Sequence, residues 1–249
     1  CTRAPECLRP LSMKNTDIKL IAAATNRSLH VLAADTAPEQ QGFVNGRQFL
    51  RNVVVVDAEA RRLSMMDNAP HDQPIFISMD IAAAFPSLGH QWLWAMMTRW
   101  GTSGRMLKLL RACYYMPLAL LELGGVLRPL FYADSGVAQG CPLSGTIWAL
   151  TFDPIVRAVS FELHQVRRGL VSACADDLGI VLQRLKDIQC LLPHLLAADQ
   201  LAGLHLHAKK CIIVPTWTLP TPELITNMQT ILSNIHFPWR NFSIAEKAR

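Results

Sequence analysis

Apolar side chains recur at helical spacing along several stretches of the chain. Between residues 16 and 34 they fall close to one stripe of a helix. Residues 90–101 show a similar pattern that stops at Gly101, and residues 103–116 show another that stops before Pro117. The same pattern also predicts helices over 46–63, 144–163 and 188–204.

Shorter apolar runs with turn residues beside them predict strands. "PIFISMD" (74–80) is typical of a buried strand that ends at Asp80. Residues 120–137 predict a hairpin turning at Gly124–Gly125, and "HLHAKKCIIVP" (205–215) predicts a further strand. Together with the helices, these runs indicate a mixed α/β (α+β) fold.

Two adjacent aspartates, Asp176 and Asp177, interrupt the apolar stretch "VSACADDLGIVL" (171–182), which predicts a hairpin. Buried carboxylates are costly without a partner, and neighbouring ones repel each other. Divalent cations resolve this conflict, because Mg²⁺ is held by carboxylates together with substrate phosphates. A site with two metals about 3.5–4 Å apart needs another carboxylate, and Asp80 is the natural donor. If strand 74–80 pairs with this hairpin, Asp80 and Asp176 converge.

The residues alone leave two plainer interpretations open. "ADDLG" (175–179) is also the composition of a solvent-exposed turn, since Asp and Gly both favour turns. Asp80 alone could be the N-cap of a helix that begins in "IAAAF" (81–85). Spacing does not decide between these readings and a metal site.

Composition narrows the class of protein. The chain has 249 residues, of which 51% are hydrophobic and 17% charged, so it can build a sizeable core and is not a disordered chain. Its net charge of +5 is compatible with a nucleic-acid partner and equally with an ordinary basic enzyme. Seven cysteines without a C-x-x-C pair disfavour a zinc site and favour a reducing, intracellular compartment. No apolar run approaches the roughly 18 residues of a membrane span.

Six motifs occur in an order that identifies a family. They are "LRPLSMKNTDIKLIAAATNRSL" (8–29), "QQGFVNGRQFLRNV" (40–53), "ISMDIAAAFPSLGH" (77–90), "SGVAQGCPLSGTIWALTFDPIVRAV" (135–159), "ACADDLGIVL" (173–182) and "AGLHLHAKKC" (202–211). In this order the chain resembles the reverse transcriptases of non-LTR retrotransposons. The fourth motif is the most specific, and the order over some 200 residues makes the resemblance strong.

The resemblance implies the fingers and palm of a right-hand polymerase, with an antiparallel palm sheet and packed helices. Residues 1–74 would form fingers clipped at the N-terminus, and residues 75–249 the palm. A second fingers segment would be inserted near 100–135, and the chain would end before the primer grip, with the thumb absent. The implied activity is RNA-directed DNA synthesis by two-metal nucleotidyl transfer.

Site residues follow from the same resemblance. Asp80 and Asp176 match the main metal ligands and Asp177 a supporting carboxylate, for two Mg²⁺ ions that Mn²⁺ can replace. Lys210 matches a lysine that protonates pyrophosphate. The alternative for Lys210 is an ordinary solvated lysine beside Lys209.

Nucleotide contacts are implied at four further positions. Arg9 matches a fingers arginine on the incoming phosphates, and Phe85 matches the aromatic ring under the sugar that disfavours a 2′-hydroxyl. Gln139 and Gly140 match a pair that approaches the nucleotide and template, and Arg47 is a candidate nucleic-acid contact. The plainer readings are a surface arginine, a core phenylalanine and a turn before a proline.

The implied partners are an RNA template, a DNA primer and deoxynucleoside triphosphates, in the nucleus and without a membrane; the oligomeric state is left open. Five positions depart from the family pattern, among them Cys174, where an aromatic residue is usual, and Gly145, where proline is common. Three other functions stay open: a group II intron or telomerase-like enzyme, an inactive retroelement relic that at most binds nucleic acid, and an unrelated metal-dependent nucleotidyl transferase or cyclase.

Overall fold

A computed structural model describes residues 15–66, 69, 72–166 and 168–245 of the chain. Its strands are β1 (Ile75–Met79), β2 (Leu118–Leu123), β3 (Val126–Tyr132), β4 (Gly169–Cys174), β5 (Asp177–Leu182), β6 (Ile212–Pro215) and β7 (Ser243–Ile244). Its helices are α1 (Thr16–Ala33), α2 (Phe49–Ser64), α3 (Ala84–Ser87), α4 (His90–Arg99), α5 (Gly104–Cys113), α6 (Ser144–Val166), α7 (Leu192–Ala202) and α8 (Pro222–Ile235). Short 3₁₀ segments cover Leu185–Leu191, Ala208–Lys210 and Phe237–Asn241.

Five of the strands form one sheet in the order β4-β5-β1-β6-β7. All neighbours in this sheet are antiparallel except β6 and β7. Strand β1 is central, and its residues alternate between buried and half-buried positions. This arrangement confirms the predicted mixed α/β fold with a mainly antiparallel sheet.

Helix α6 packs against β4, α1 and α4 and carries much of the core, including the fully buried Trp148 and Phe152. It continues through Pro154, which has no N–H to donate to the carbonyl one turn earlier, that of Leu150. The Trp100 indole Nε1 donates to this free carbonyl at 2.8 Å. A neighbouring side chain therefore compensates for the proline and lets the helix run on.

The predicted strand over 205–215 is wrong in its first half. The His207 backbone N–H donates to the Asp80 carbonyl at 2.8 Å, and the Lys210 N–H then donates to the His207 carbonyl at 2.8 Å. These bonds turn the chain into a short 3₁₀ segment, so that only Ile212–Pro215 continues as β6. The predicted hairpin over 120–137 is confirmed as β2 and β3, with positive φ at both Gly124 and Gly125.

Within the described residues, no helix combines the length and the apolar character that crossing a membrane requires. The division into fingers (1–74) and palm (75–249, with a second fingers segment near 100–135) stays a prediction.

Candidate active site

The three aspartates predicted to bind metal, Asp80, Asp176 and Asp177, form an acidic corner where β1 ends beside the β4–β5 hairpin. Strands β1 and β5 are antiparallel, with Met79 opposite Leu178, so the next pair in this register is Asp80 and Asp177. Met79 and Leu178 are buried, and side chains alternate between faces, which turns Asp80 and Asp177 to the other side of the sheet. Asp176 lies in the turn between β4 and β5. The sequence-based expectation that strand 74–80 pairs with the acidic hairpin is confirmed.

The hairpin tip is held by the side chain of Gln40, which is fully buried. Its amide nitrogen donates to the Ala175 carbonyl at 3.0 Å, and its amide oxygen accepts from the Ala175 N–H at 2.9 Å. The Trp148 indole donates to the same carbonyl at 2.9 Å. Ala175 has φ of +60°, a conformation that non-glycine residues rarely adopt. These three hydrogen bonds stabilise the strained turn that carries Asp176.

The segment around Gln40 also covers the edge of the sheet at β4. The Gln41 N–H donates to the Ala173 carbonyl, and the Ala173 N–H donates to the Glu39 carbonyl. The buried Asn52 side chain donates to the Ala173 carbonyl as well, at 2.8 Å. Strand edges otherwise expose unpaired backbone groups, so residues 39–42 and α2 complete the sheet beside the acidic turn.

Lys210 lies next to Asp80, with 3.9 Å between its Nζ and the Asp80 Oδ2. The 3₁₀ segment that carries it is tied to residues 80–82, since Ile81 bridges Leu206 and the Ala82 N–H donates to the His205 carbonyl. The Lys210 side chain is exposed and that of Asp80 is partly exposed, so this ion pair contributes little to stability. Its position places an ammonium group beside the carboxylate predicted to bind metal.

Carboxylate oxygens are the donors at this corner, and they suit hard divalent cations. Among the described residues, no three or more His, Cys, Asp and Glu side chains are already gathered closely enough to hold a metal ion. Mg²⁺ is usually held by one or two carboxylates, with water and substrate phosphates completing its coordination. Asp80 and Asp176, with Asp177 beside them, fit a site of this open kind.

The cysteines near the corner are protonated thiols. Burial raises the pKa of Cys174, and the charges of Asp177 and Asp176 raise it further. Burial also raises the pKa of Cys211, below the Asp80 strand end, to about 12. Because the thiolate is the form that binds metals, the raised pKa values disfavour these cysteines as ligands relative to the carboxylates.

Phe85 lies in a row of aromatic rings beside the acidic corner. Its centroid is 5.2 Å from that of Trp148 and 5.7 Å from that of Phe43. Phe43 in turn packs on Gly145, where an added Cβ would lie only 2.6 Å from a ring carbon. The absence of a side chain at Gly145, noted as a departure from the family pattern, therefore makes room for Phe43. Phe85 itself is half-buried, so part of its ring faces outward.

The loop that carries Gln139 and Gly140 is docked on the turn around Phe85. The Val137 N–H donates to the Phe85 carbonyl at 2.8 Å, and the Gly136 N–H donates to the Leu88 carbonyl at 2.7 Å. Gln139 is half-exposed and Gly140 exposed. The structure thus brings Phe85, Gln139 and Gly140 together on one side of the site.

Arg47 organises the loop that reaches the hairpin. Its guanidinium donates to four backbone carbonyls at 2.5–2.9 Å, those of Ala34, Thr36, Ala37 and Gln40. Because four of its five N–H donors bind the protein's own backbone, its main role here is structural. The nucleic-acid contact predicted for Arg47 stays a prediction, and Arg9 lies outside the described residues.

Arg47→Ala is expected to lower the free energy of unfolding by about 2–4 kcal/mol, since it leaves several carbonyls without a charged donor. Arg51→Ala, an exposed arginine on α2, is the control and should change it by less than about 0.5 kcal/mol. Urea denaturation measures the free energy of unfolding of both variants and of the wild type. Unchanged stability of Arg47→Ala combined with weaker nucleic-acid binding would contradict the structural role.

Sequence reasoning missed the residues that hold the acidic turn. Gln40, Gly42, Asn52 and Trp148 all lie inside quoted motifs, yet nothing in their spacing shows that they meet Ala175 or Ala173. The available signal in the sequence was "QQGF" (40–43), two glutamines before a glycine. The structure shows that Gln40 is fully buried, and buried polar side chains are normally hydrogen-bonded.

Comparison with known proteins agrees with this geometry. A family model described as reverse transcriptase (RNA-dependent DNA polymerase) matches residues 4–222. The transposon TX1 uncharacterized 149 kDa protein of Xenopus laevis is 30% identical over 188 residues, covering 73% of this chain and 14% of that protein. The Pol polyprotein of the type-2 retrotransposable element R2DM of Drosophila melanogaster is 26% identical over 216 residues, covering 85% of this chain and 20% of that protein. The chain therefore spans a fifth or less of these curated relatives.

Solved structures share the fold at low sequence identity. Telomerase from Candida albicans, in complex with a TWJ fragment of telomeric RNA, superimposes with a TM-score of 0.63 at 11% identity, covering 80% of this chain and 35% of that one. Apo telomerase from Candida tropicalis gives a TM-score of 0.58 at 10% identity, covering 80% and 36%. With the family match over most of the chain, the paired acidic strand ends and this shared fold, the chain belongs to the reverse transcriptase family of RNA-dependent DNA polymerases.

Proposed function

We propose that the chain is the catalytic core of an RNA-directed DNA polymerase from a non-LTR retrotransposon, which extends a DNA primer on an RNA template. The observation that supports it most is the register of β1 and β5, which sets Asp80 beside the acidic turn of the hairpin. Two of its curated relatives belong to a transposon and a retrotransposable element.

Each group at the site has a role in nucleotidyl transfer. Asp80 and Asp176 hold divalent cations, Mg²⁺ in the first instance with Mn²⁺ as a substitute, and Asp177 supports them. Such cations supply charge neutralisation at the reacting phosphates and a more nucleophilic hydroxyl. Lys210, beside Asp80, donates a proton from its ammonium group to the departing pyrophosphate or stabilises its negative charge electrostatically.

The sugar of the incoming nucleotide lies against Phe85. The template strand lies against Gln139 and Gly140. Phe85 is fixed by Trp148 and Phe43, so its ring cannot move away from a 2′-hydroxyl without disturbing both. Gly140 has no side chain and a φ of +89°, which allows close backbone approach to a substrate. These contacts favour deoxynucleotides.

Primer extension tests the proposal. The purified chain is incubated with a DNA primer annealed to an RNA template, deoxynucleoside triphosphates and Mg²⁺ or Mn²⁺. We expect template-directed extension that stops when EDTA is added. Extension on neither RNA nor DNA templates would favour the inactive relic.

Phe85→Val is expected to raise the incorporation of ribonucleotides relative to deoxynucleotides by about tenfold or more, since a smaller side chain leaves room for the 2′-hydroxyl. Phe161→Val makes the same change at an exposed position on α6 and should leave the ratio unchanged. The ratio of kcat/KM for the two nucleotides measures the effect. An unchanged ratio in Phe85→Val would remove Phe85 from the sugar contact.

A further inference from the structure

A polar pocket lies at the end of the sheet away from the acidic corner. In the β4–β5 hairpin, Cys174 pairs with Asp177 at the acidic end, and Gly169 pairs with Leu182 at the other end. The strand between the two ends spans roughly 17 Å, at about 3.4 Å per residue. Directly beyond the second pair is a pocket of about 410 Å³, lined by Arg168, Gln183, Arg184, Lys186, Asp187 and Gln189. The pocket is therefore separate from the site proposed for nucleotidyl transfer.

Hydrogen-bond donors dominate the lining of this pocket. Arg168, Arg184 and Lys186 carry positive charge, and the two glutamine amides can donate as well. Among the described residues that line the pocket, Asp187 is the single acid. Asp72 lies close by and contacts two of the cations. Three cations therefore face two carboxylates, which leaves one positive charge in excess.

The two carboxylates neutralise the three cations unequally. Asp187 is buried, and its Oδ1 accepts from the Arg168 Nη1 at 2.9 Å. Arg184 and Lys186 instead share one oxygen, the Asp72 Oδ2, at 3.5 and 3.4 Å. Hydrogen bonds between charged groups are normally about 2.7–2.9 Å long. This loose sharing leaves both cations with donors for a second anion.

The backbone fixes the cations around the pocket. Leu185 is buried in the core and anchors the segment that carries a cation on either side of it. The Asp187 N–H donates to the Arg184 carbonyl at 3.1 Å, and the Gln183 N–H donates to the Arg168 carbonyl at 2.8 Å. About half of each cationic side chain is exposed, so a ligand in solution can reach the donors. A site that is already formed in this way needs little reordering to bind.

A phosphate group is the ligand chemistry that fits this lining. Its three or more oxygens accept from several donors at once, and guanidinium groups match its geometry. An apolar ligand would find no surface to pack on. A phosphodiester inside a strand has chain on both sides, whereas a pocket receives a group at the end of a molecule. Such terminal phosphates occur on free nucleotides and at the 5′ ends of nucleic-acid strands.

We propose that this pocket binds a terminal phosphate, carried by a free nucleotide or by the 5′ end of a strand. Arg184 and Lys186 supply the charge that Asp72 only partly neutralises, and Arg168 is held in place by Asp187. Binding here uses no residue of the acidic corner and no metal ion. Phosphate binding therefore stands or falls independently of the proposed polymerase activity.

Isothermal titration calorimetry of the full 249-residue chain with inorganic tripolyphosphate tests the pocket. A metal-free buffer prevents binding through a cation at the acidic corner. Arg184→Gln/Lys186→Gln should raise Kd by about tenfold or more, since hydrogen bonds between charged groups are lost. Lys19→Gln/Arg27→Gln removes the same charge from exposed positions on α1 and should keep the wild-type Kd. No binding by the wild-type chain, or a wild-type Kd in the pocket variant, would overturn the proposal.

Asp72→Asn distinguishes a phosphate site from a group of ion pairs that only stabilises the fold. The substitution removes the carboxylate that competes with the phosphate for Arg184 and Lys186. Tripolyphosphate binding should therefore become tighter, by roughly two- to fivefold. Unchanged or weaker binding by the folded variant would count against the site.

Competition with tripolyphosphate identifies the molecule that carries the phosphate. Adenosine monophosphate and a 5′-phosphorylated oligodeoxythymidine represent the two sources, and displacement by either supports a terminal-phosphate site. A 5′-hydroxyl oligodeoxythymidine of the same length should compete about tenfold more weakly than the phosphorylated one. Displacement by neither source would overturn the proposal. Equal displacement by the two oligonucleotides would overturn it in favour of a site for the strand backbone.

Discussion

Asp80→Asn is expected to lower the rate of RNA-templated primer extension on the order of 10³-fold or more, equal to about 4 kcal/mol in the barrier. The asparagine keeps the size of the side chain but removes the negative charge that holds a divalent cation. Losing only a partner that supports a metal ligand costs 10–100-fold, so losing the ligand itself should cost more. Asp176→Asn should have an effect of the same size, and Asp177→Asn a smaller one.

Single-turnover extension of a labelled primer measures these rates. Asp17→Asn, an exposed aspartate in the first turn of α1, is the matched control and should keep the wild-type rate. Thermal denaturation of each variant separates lost chemistry from lost folding. An Asp80→Asn variant that folds and extends primers at more than a tenth of the wild-type rate would contradict the ligand assignment.

Gly42→Ala is expected to disturb both stability and activity, because it forces the acidic turn to move. A Cβ added at Gly42 would lie 2.1 Å from the Ala175 backbone nitrogen and 2.8 Å from its Cα. Both are backbone atoms, so no flexible side chain can yield. We expect a loss of about 2–3 kcal/mol in the free energy of unfolding. Primer extension should fall strongly even in the folded fraction, since Asp176 follows Ala175 directly.

Gly104→Ala provides the control for this substitution. No atom outside its own helix lies within 4 Å of a Cβ added there, and alanine is a better helix former than glycine. Its stability should equal or slightly exceed that of the wild type, with full activity. Urea denaturation and primer extension measure both variants. If Gly42→Ala keeps wild-type stability and rate, residues 39–42 do not position the turn.

The acidic corner could be predicted because local signals determined it. The apolar run before Asp80 and the two apolar arms around Asp176 and Asp177 each indicated their elements, and only the pairing of β1 with β5 had to be assumed. The Gly124–Gly125 turn was equally local, since adjacent glycines tolerate positive φ. The roles of these residues came from the family resemblance rather than from spacing.

Long-range hydrogen bonds could not be predicted in this way. Gln40 and Ala175 are far apart in the sequence, and only the folded chain shows that one holds the other. Arg47 was predicted to contact nucleic acid, which stays a prediction, and nothing in its motif showed that its guanidinium also donates to the protein's own carbonyls. Only the first half of the predicted strand over 205–215 is wrong, because the Asp80 carbonyl accepts from the His207 N–H and the chain turns there before β6 begins at Ile212.

Mn²⁺ binding tests the central claim, that Asp80 and Asp176 form a divalent-metal site, most directly. Electron paramagnetic resonance measures free Mn²⁺ during titration of the chain with a primer–template and a non-hydrolysable deoxynucleoside triphosphate analogue. We predict Mn²⁺ sites in the wild-type chain that the folded Asp80→Asn/Asp176→Asn variant loses. Equal Mn²⁺ binding by the two proteins would contradict the claim.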